Sequence, residues 1–141
     1  MMKAQLLAPE DELAPVAQVL LQLRPQYSLE DIKLQIRKQQ QNGYQLAFVT
    51  EGSCVLCVAG FVVAEKLAWG RHIYVDDLVT DENHRSSGAG HLLINWLKDY
   101  AKEIGCTQIH LDSGVQRFSA HRFYLREGFI IASHHFSTDD L

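Results

Sequence analysis

The chain has 141 residues, 47% hydrophobic and 21% charged, with a formal net charge of -4, which is the balance of an ordinary globular domain, so one domain over residues 1–141 is expected. No apolar run approaches the roughly 18 residues of a membrane span, and the acidic start Pro9-Glu10-Asp11-Glu12 spoils a secretion signal. No basic stripe is present to grip phosphate backbones, and the expectation is a cytoplasmic protein with neither membrane nor nucleic acid as partner.

Lys3 to Leu7 reads as a first strand. Leu13, Val16, Ala17 and Leu20 then fall at helical spacing, and Pro15 is tolerable only in the first turn of that helix. Arg24-Pro25 ends it. Ser28-Leu29-Glu30-Asp31 is a cap opening a second helix, with Leu29, Ile32 and Ile36 on one side and Asn42-Gly43 as its stop. Strands follow: Tyr44 to Thr50, a turn at Glu51-Gly52-Ser53, and an apolar stretch from Val55 to Leu67 whose lack of alternation predicts burial on both faces. Trp69-Gly70-Arg71 predicts another turn, His72 to Thr80 a strand, and residues 81–85 a polar loop. Leu92, Leu93, Trp96, Leu97, Tyr100, Ala101 and Ile104 form the apolar stripe of a helix from Ala89 to Ile104, closed by Gly105. A strand from Thr107 to Asp112, a short helix from Ser119 to Glu127, a stop at Gly128 and a last strand from Phe129 to Phe136 complete the chain. The order predicts an α/β or α+β sheet with helices on its faces.

Three cysteines without a secretion signal read as reduced thiols. Cys54-Val55-Leu56-Cys57 has the spacing of half a zinc site, but it sits in an apolar run with no second pair, so buried strand cysteines are expected. His134 and His135 would point to opposite faces of the last strand, and no metal is expected.

The segment Arg85-Ser86-Ser87-Gly88-Ala89-Gly90 lies between a strand and a strongly periodic helix. Backbone N–H groups and the positive end of the helix dipole can receive a phosphate there, and glycines allow close approach. It is not a P-loop, lacking the Gly-Lys-Ser/Thr ending, nor a dinucleotide fingerprint, lacking the third glycine. Alone, such a glycine pair is better explained by a turn before a helix.

Its surroundings carry more. The order strand, Arg85-x-x-Gly88-x-Gly90, amphipathic helix, Gly105-Cys106, strand, and then Phe123-Tyr124-Leu125-Arg126-Glu127-Gly128-Phe129 resembles the GNAT N-acetyltransferase superfamily, the specific match running over residues 72–131. The resemblance implies a mixed, mostly antiparallel sheet of about six or seven strands with about four helices on its faces. It implies acetyl-CoA as cosubstrate, its diphosphate held by Arg85, Ser86, Ser87, Gly88, Ala89 and Gly90 and its pantetheine arm paired with the backbone of Leu78, Val79 and Thr80. Tyr124 matches the tyrosine that serves such enzymes as general acid. Many relatives carry Asn where Arg117 stands here, which removes one side-chain contact to CoA from the expectation.

Acetyl transfer to an amine also needs an oxyanion donor and a route for the amine proton. The donor is expected to be a backbone N–H at a bulge in the strand ending at Thr80. Asp76 and Asp77 are the candidates for catalysis and acceptor binding, and acidic pairs at this place resemble small-molecule branches such as glucosamine-6-phosphate and aminoalkylphosphonate N-acetyltransferases. Strand alternation sends the two to opposite faces, so only one should meet the acceptor. Asp112, at a strand end, is a further candidate for acceptor binding. The leading expectation is direct transfer from acetyl-CoA to a small-molecule amine, with a homodimer left open. The alternatives are a non-catalytic acyl-CoA-binding regulatory module and a protein lysine or N-terminal acetyltransferase.

Overall fold

The computed structural model describes residues 1–141 in two units, Met1–Leu111 and Asp112–Leu141. The first holds β1 (Met2–Leu6), α1 (Ala14–Leu23), α2 (Leu29–Gln40), β2 (Gln45–Glu51), β3 (Cys54–Lys66), β4 (Gly70–Thr80), a single 3-10 turn at Glu82–His84, α3 (Ala89–Glu103) and β5 (Gln108–Leu111). The second holds α4 (Phe118–Arg126). The sheet runs β1-β2-β3-β4-β5, antiparallel throughout except for the parallel pair β4 and β5.

The helices start and stop where local chemistry requires. Pro15 sits in the first turn of α1, where its missing N–H costs nothing, and Val16, Ala17, Val19 and Leu20 turn inward. Ser28 Oγ accepts from Asp31 N at 3.1 Å to cap α2, with Glu30 and Asp31 at its positive end and Arg37 and Lys38 at its negative end. Ile32 and Ile36, one turn apart, join Leu46, Phe48, Val58 and Val79 in the core beneath α1 and α2. α3 packs on the same sheet through Leu93, Ile94, Leu97 and Ala101, and Tyr100 meets Phe61 edge-on. The burial expected from Val55 to Leu67 holds without interruption only from Leu56 to Phe61; residues 62–64 are half-buried and 65–67 exposed, because β3 runs out past the covered part of the sheet.

Two expectations need correction. The sheet has five strands rather than six or seven, because Phe129–Phe136 forms no ladder, and Ile130 and Ile131 are exposed. A strand exists only through its hydrogen-bonded neighbour, so β-prone composition cannot by itself create one. Cys54 is exposed at the β2–β3 turn, and only Cys57 and Cys106 are buried.

Candidate active site

The loop after β4 is anchored at its start. Gln22 Nε2 donates to Asp81 Oδ1 at 2.7 Å, Glu82 N donates back to Gln22 Oε1 at 2.9 Å, and His84 Nδ1 lies 2.6 Å from Asp81 Oδ2. Hydrogen bonds from Gln22 and then His84 hold the Asp81 carboxyl below its ordinary value. Past Arg85 the chain enters left-handed backbone twice, at Ser86 (φ 63) and at Gly88 (φ 91), the residue that caps α3. A β-carbon at Gly88 would meet only Met2 Cε, at 3.8 Å, so its backbone angle rather than crowding calls for glycine. Ser86 tolerates the same region at a cost of about 1 kcal/mol. Left-handed residues set among ordinary ones turn successive N–H groups to one side, and the first turn of a 15-residue helix adds its dipole. Ser87 Oγ accepts from Ala89 N at 3.3 Å.

β4 changes character halfway along. It pairs with β5 only from His72 to Val75, and from Asp76 to Thr80 its strand neighbour is β3 alone. Leu78, Val79 and Thr80 therefore keep a main-chain edge that no strand of the sheet occupies. At the point of separation Gly60 lies opposite Asp77 and Phe61 opposite Val75, which makes Asp76 the extra residue of a β-bulge.

That bulge overturns the alternation argument. Asp76 and Asp77 line the same cavity, of about 240 Å³, with α1 and α2 as its other walls. From the end of α1, Arg24 Nε and Nη2 each lie 2.9 Å from Asp77 Oδ1, and Nη2 also donates to the Asp76 carbonyl oxygen at 3.1 Å. Tyr44 Oη donates to Asp77 Oδ2 at 2.6 Å. The phenol reaches β4 by crossing β3 at Gly60, where an added β-carbon would collide with its Oη and Cζ. Burial first, and then the Asp77 charge, push the Tyr44 proton far above its ordinary range. Asp76 is exposed, and its carboxyl is raised by partial desolvation and by Asp77, with Arg24 opposing.

In the second unit, Tyr124 is half-buried on α4, with its ring 5.5 Å from Phe123 and 5.9 Å from Phe129. Its carbonyl accepts from Glu127 N at 3.1 Å and Phe129 N at 3.0 Å, which closes the helix. Asp112 Oδ2 lies 3.4 Å from His135 Nδ1 in the same unit.

Sequence reasoning missed Arg24, Tyr44 and Gly60. Arg24-Pro25 reads as a helix stop, and that signal also explains why Arg24 is fixed at the end of α1 with its side chain at β4. Nothing local announces that Tyr44 and Asp77, 33 residues apart, form a hydrogen bond.

Comparison with known proteins agrees with this layout. The family model described as Acetyltransferase (GNAT) family matches residues 12–129. An uncharacterized N-acetyltransferase of Bacillus subtilis is 30% identical over 132 residues, covering 92% of this chain and 93% of that one. Among solved structures, AAC(6')-Iy with a bisubstrate analogue, CoA-S-monomethyl-acetylneamine, superposes with a TM-score of 0.84 at 12% identity, covering 100% of this chain and 99% of that one. Glucosamine-6-phosphate N-acetyltransferase from Arabidopsis thaliana superposes with a TM-score of 0.77 at 20% identity, covering 99% of each chain. The family model spans most of the chain and the Bacillus relative nearly all of it, so this chain belongs to the GNAT family of acetyltransferases and is one of its N-acetyltransferases.

Proposed function

We propose that the protein moves an acetyl group from acetyl-CoA directly to an amine of a small-molecule acceptor, both bound at once. The run of β4 beyond Val75 carries this reading. One strand offers, in order, a bulge with two carboxylates on a cavity, a main-chain edge at Leu78–Thr80, and a loop whose backbone suits a diphosphate. The edge would pair with the amide-bearing pantetheine arm. Arg85, Ser86, Ser87, Gly88, Ala89 and Gly90 would hold the diphosphate through N–H groups and the α3 dipole. The thioester of acetyl-CoA supplies the acetyl group.

The acceptor nitrogen bonds to the thioester carbonyl carbon as the carbon–sulfur bond breaks. Asp76 binds the acceptor ammonium and helps take its proton through water, with the charge of Asp77 beside it. A backbone N–H beside the bulge stabilises charge on the carbonyl oxygen. Tyr124 gives its proton to the departing thiolate. A phenol protonated at neutral pH can do so, since the thiol it forms has a pKa of about 8.5.

The test is thiol release from acetyl-CoA across an amine panel. Tyr124→Phe is expected to lower turnover by about 10²–10⁴-fold with CoA affinity retained. A structure with CoA should put its diphosphate against residues 85–90. Diphosphate bound elsewhere refutes the reading, and tight CoA binding with no thiol released by any amine favours the non-catalytic CoA-binding module.

A further inference from the structure

The acceptor cavity has a readable charge. Two carboxylates, Asp76 and Asp77, face one guanidinium, Arg24, which leaves one net negative charge on its wall. Arg24 is already committed: two of its nitrogens are spent on Asp77 Oδ1, and one of them also serves the Asp76 carbonyl oxygen. A phosphate or phosphonate is recognised by an open guanidinium fork or an ammonium, and the Nε–Nη2 edge of Arg24 is already taken by Asp77. Tyr44 holds the same carboxylate. Its hydroxyl occupies Asp77 Oδ2, and its ring edge lies beside Gly60, so Asp77 is held on both oxygens. Asp76 alone presents a carboxylate that no protein group engages. Gln26, Tyr27, Gln35 and Gln39 add neutral hydrogen-bonding groups to the wall, with Gln35 Nε2 donating to Gln39 Oε1 at 3.0 Å.

Resting on the acetyltransferase reading above, we infer that the acceptor is an amine with one positive charge and a neutral, hydroxyl-bearing body, and that the locked set Arg24–Asp77–Tyr44 is the specificity element that turns away amines carrying phosphate or phosphonate. Asp76 receives the ammonium. The amides and phenols of the wall suit hydroxyl groups, which both donate and accept. A dianion in the same cavity would face the net negative wall, whose one cation is already paired with Asp77.

Matched probes test this: glucosamine against glucosamine 6-phosphate, and ethanolamine against phosphoethanolamine. Each is followed by thiol release from acetyl-CoA and by calorimetric binding to the CoA-saturated protein. Wild type should favour the unphosphorylated member of each pair by on the order of 100-fold, the effect of a few unit charges about 6 Å apart in a partly screened cavity. Asp77→Asn removes the charge that locks Arg24 and should cut that preference at least about tenfold, through gain by the phosphorylated member. Arg24→Gln should widen it. Tyr44→Phe, which keeps the ring edge beside Gly60, should narrow it by a smaller factor and serves as the second variant should Asp77→Asn fold poorly. Preference of wild type for a phosphorylated amine, or the same ratio in wild type and in the folded variants, overturns the inference while thiol release still upholds acetyl transfer. Binding of the unphosphorylated probes without thiol release upholds the acceptor class and refutes transfer. Failure of every probe to bind overturns the inference as well.

Discussion

Replacing Tyr44 with Phe isolates one interaction on which the shape of the cavity between α1, α2 and β4 depends. The ring edge stays beside Gly60, and the substitution removes only the hydroxyl, which lies against Gly60 and donates to Asp77 Oδ2 at 2.6 Å. A hydrogen bond to a charged group contributes about 1.5–3 kcal/mol. Asp77 retains Arg24, but its side chain is only 15% exposed, so water replaces the lost donor poorly, and about 2 kcal/mol is expected. For a chain of this size that corresponds to a fall of about 6–8 °C in Tm at pH 7. The pH dependence has a definite sign. The folded-state proton of Tyr44 is held above the ordinary value of 10.0, first by burial and then by Asp77, so its contribution is fully present below pH 10. It is lost as pH rises beyond 10, because the unfolded state then releases a proton that the folded state keeps. Thermal unfolding of wild type and Tyr44→Phe between pH 7 and pH 11 should therefore show a constant gap up to about pH 9.5 that shrinks above pH 10. A gap below about 0.5 kcal/mol at pH 7, or one that stays unchanged at pH 11, would refute the assignment of Tyr44 as a buried donor to a carboxylate.

Gly88→Ala should cost about 1 kcal/mol of stability through its φ of 91 alone, since the added methyl meets only Met2 Cε; equilibrium unfolding with a CoA titration should show the stability loss together with weaker CoA binding. Asp76 is raised above the ordinary carboxylate value by desolvation and by Asp77, so wild-type kcat/KM should fall as pH drops through that raised value, and the acidic limb attributable to it should vanish in Asp76→Asn. A pH–rate profile that keeps the same limb in the variant removes Asp76 from the proton path. Burial pushes the Cys57 thiol up to about 11, whereas Cys54 is exposed, so iodoacetamide at pH 8 should label Cys54 in the native protein and reach Cys57 only after denaturation. Peptide mapping that finds native Cys57 labelled as fast as Cys54 contradicts the buried position on β3.

Several features were legible because their causes are local. The cap at Ser28, the stop at Gly43 (φ 99), the stripe of α3 and the left-handed Gly88 before it each follow from the residues within one or two turns. The unbroken burial of Leu56–Phe61 followed from composition in the same way. Family motifs carried the expectation for the loop before α3, because a backbone site is written in glycines and spacing.

The cavity at Asp76 and Asp77 was not legible, and the reason is geometric. Alternation placed Asp76 and Asp77 on opposite faces, but a strand alternates only while its register holds, and the bulge opposite Gly60 and Phe61 breaks it. The expected last strand failed for a related reason, since Phe129–Phe136 has strand-forming residues and no ladder neighbour. The sequence alone determined where the helices begin and that the chain turns through glycine ahead of α3, both of them short-range consequences of backbone freedom and hydrogen-bonding chemistry. Tertiary structure alone decided that Arg24, Tyr44 and Asp77 meet across separations of 53 and 33 residues, because one bulge and one missing β-carbon bring the end of α1, the start of β2 and the middle of β4 to a single cavity.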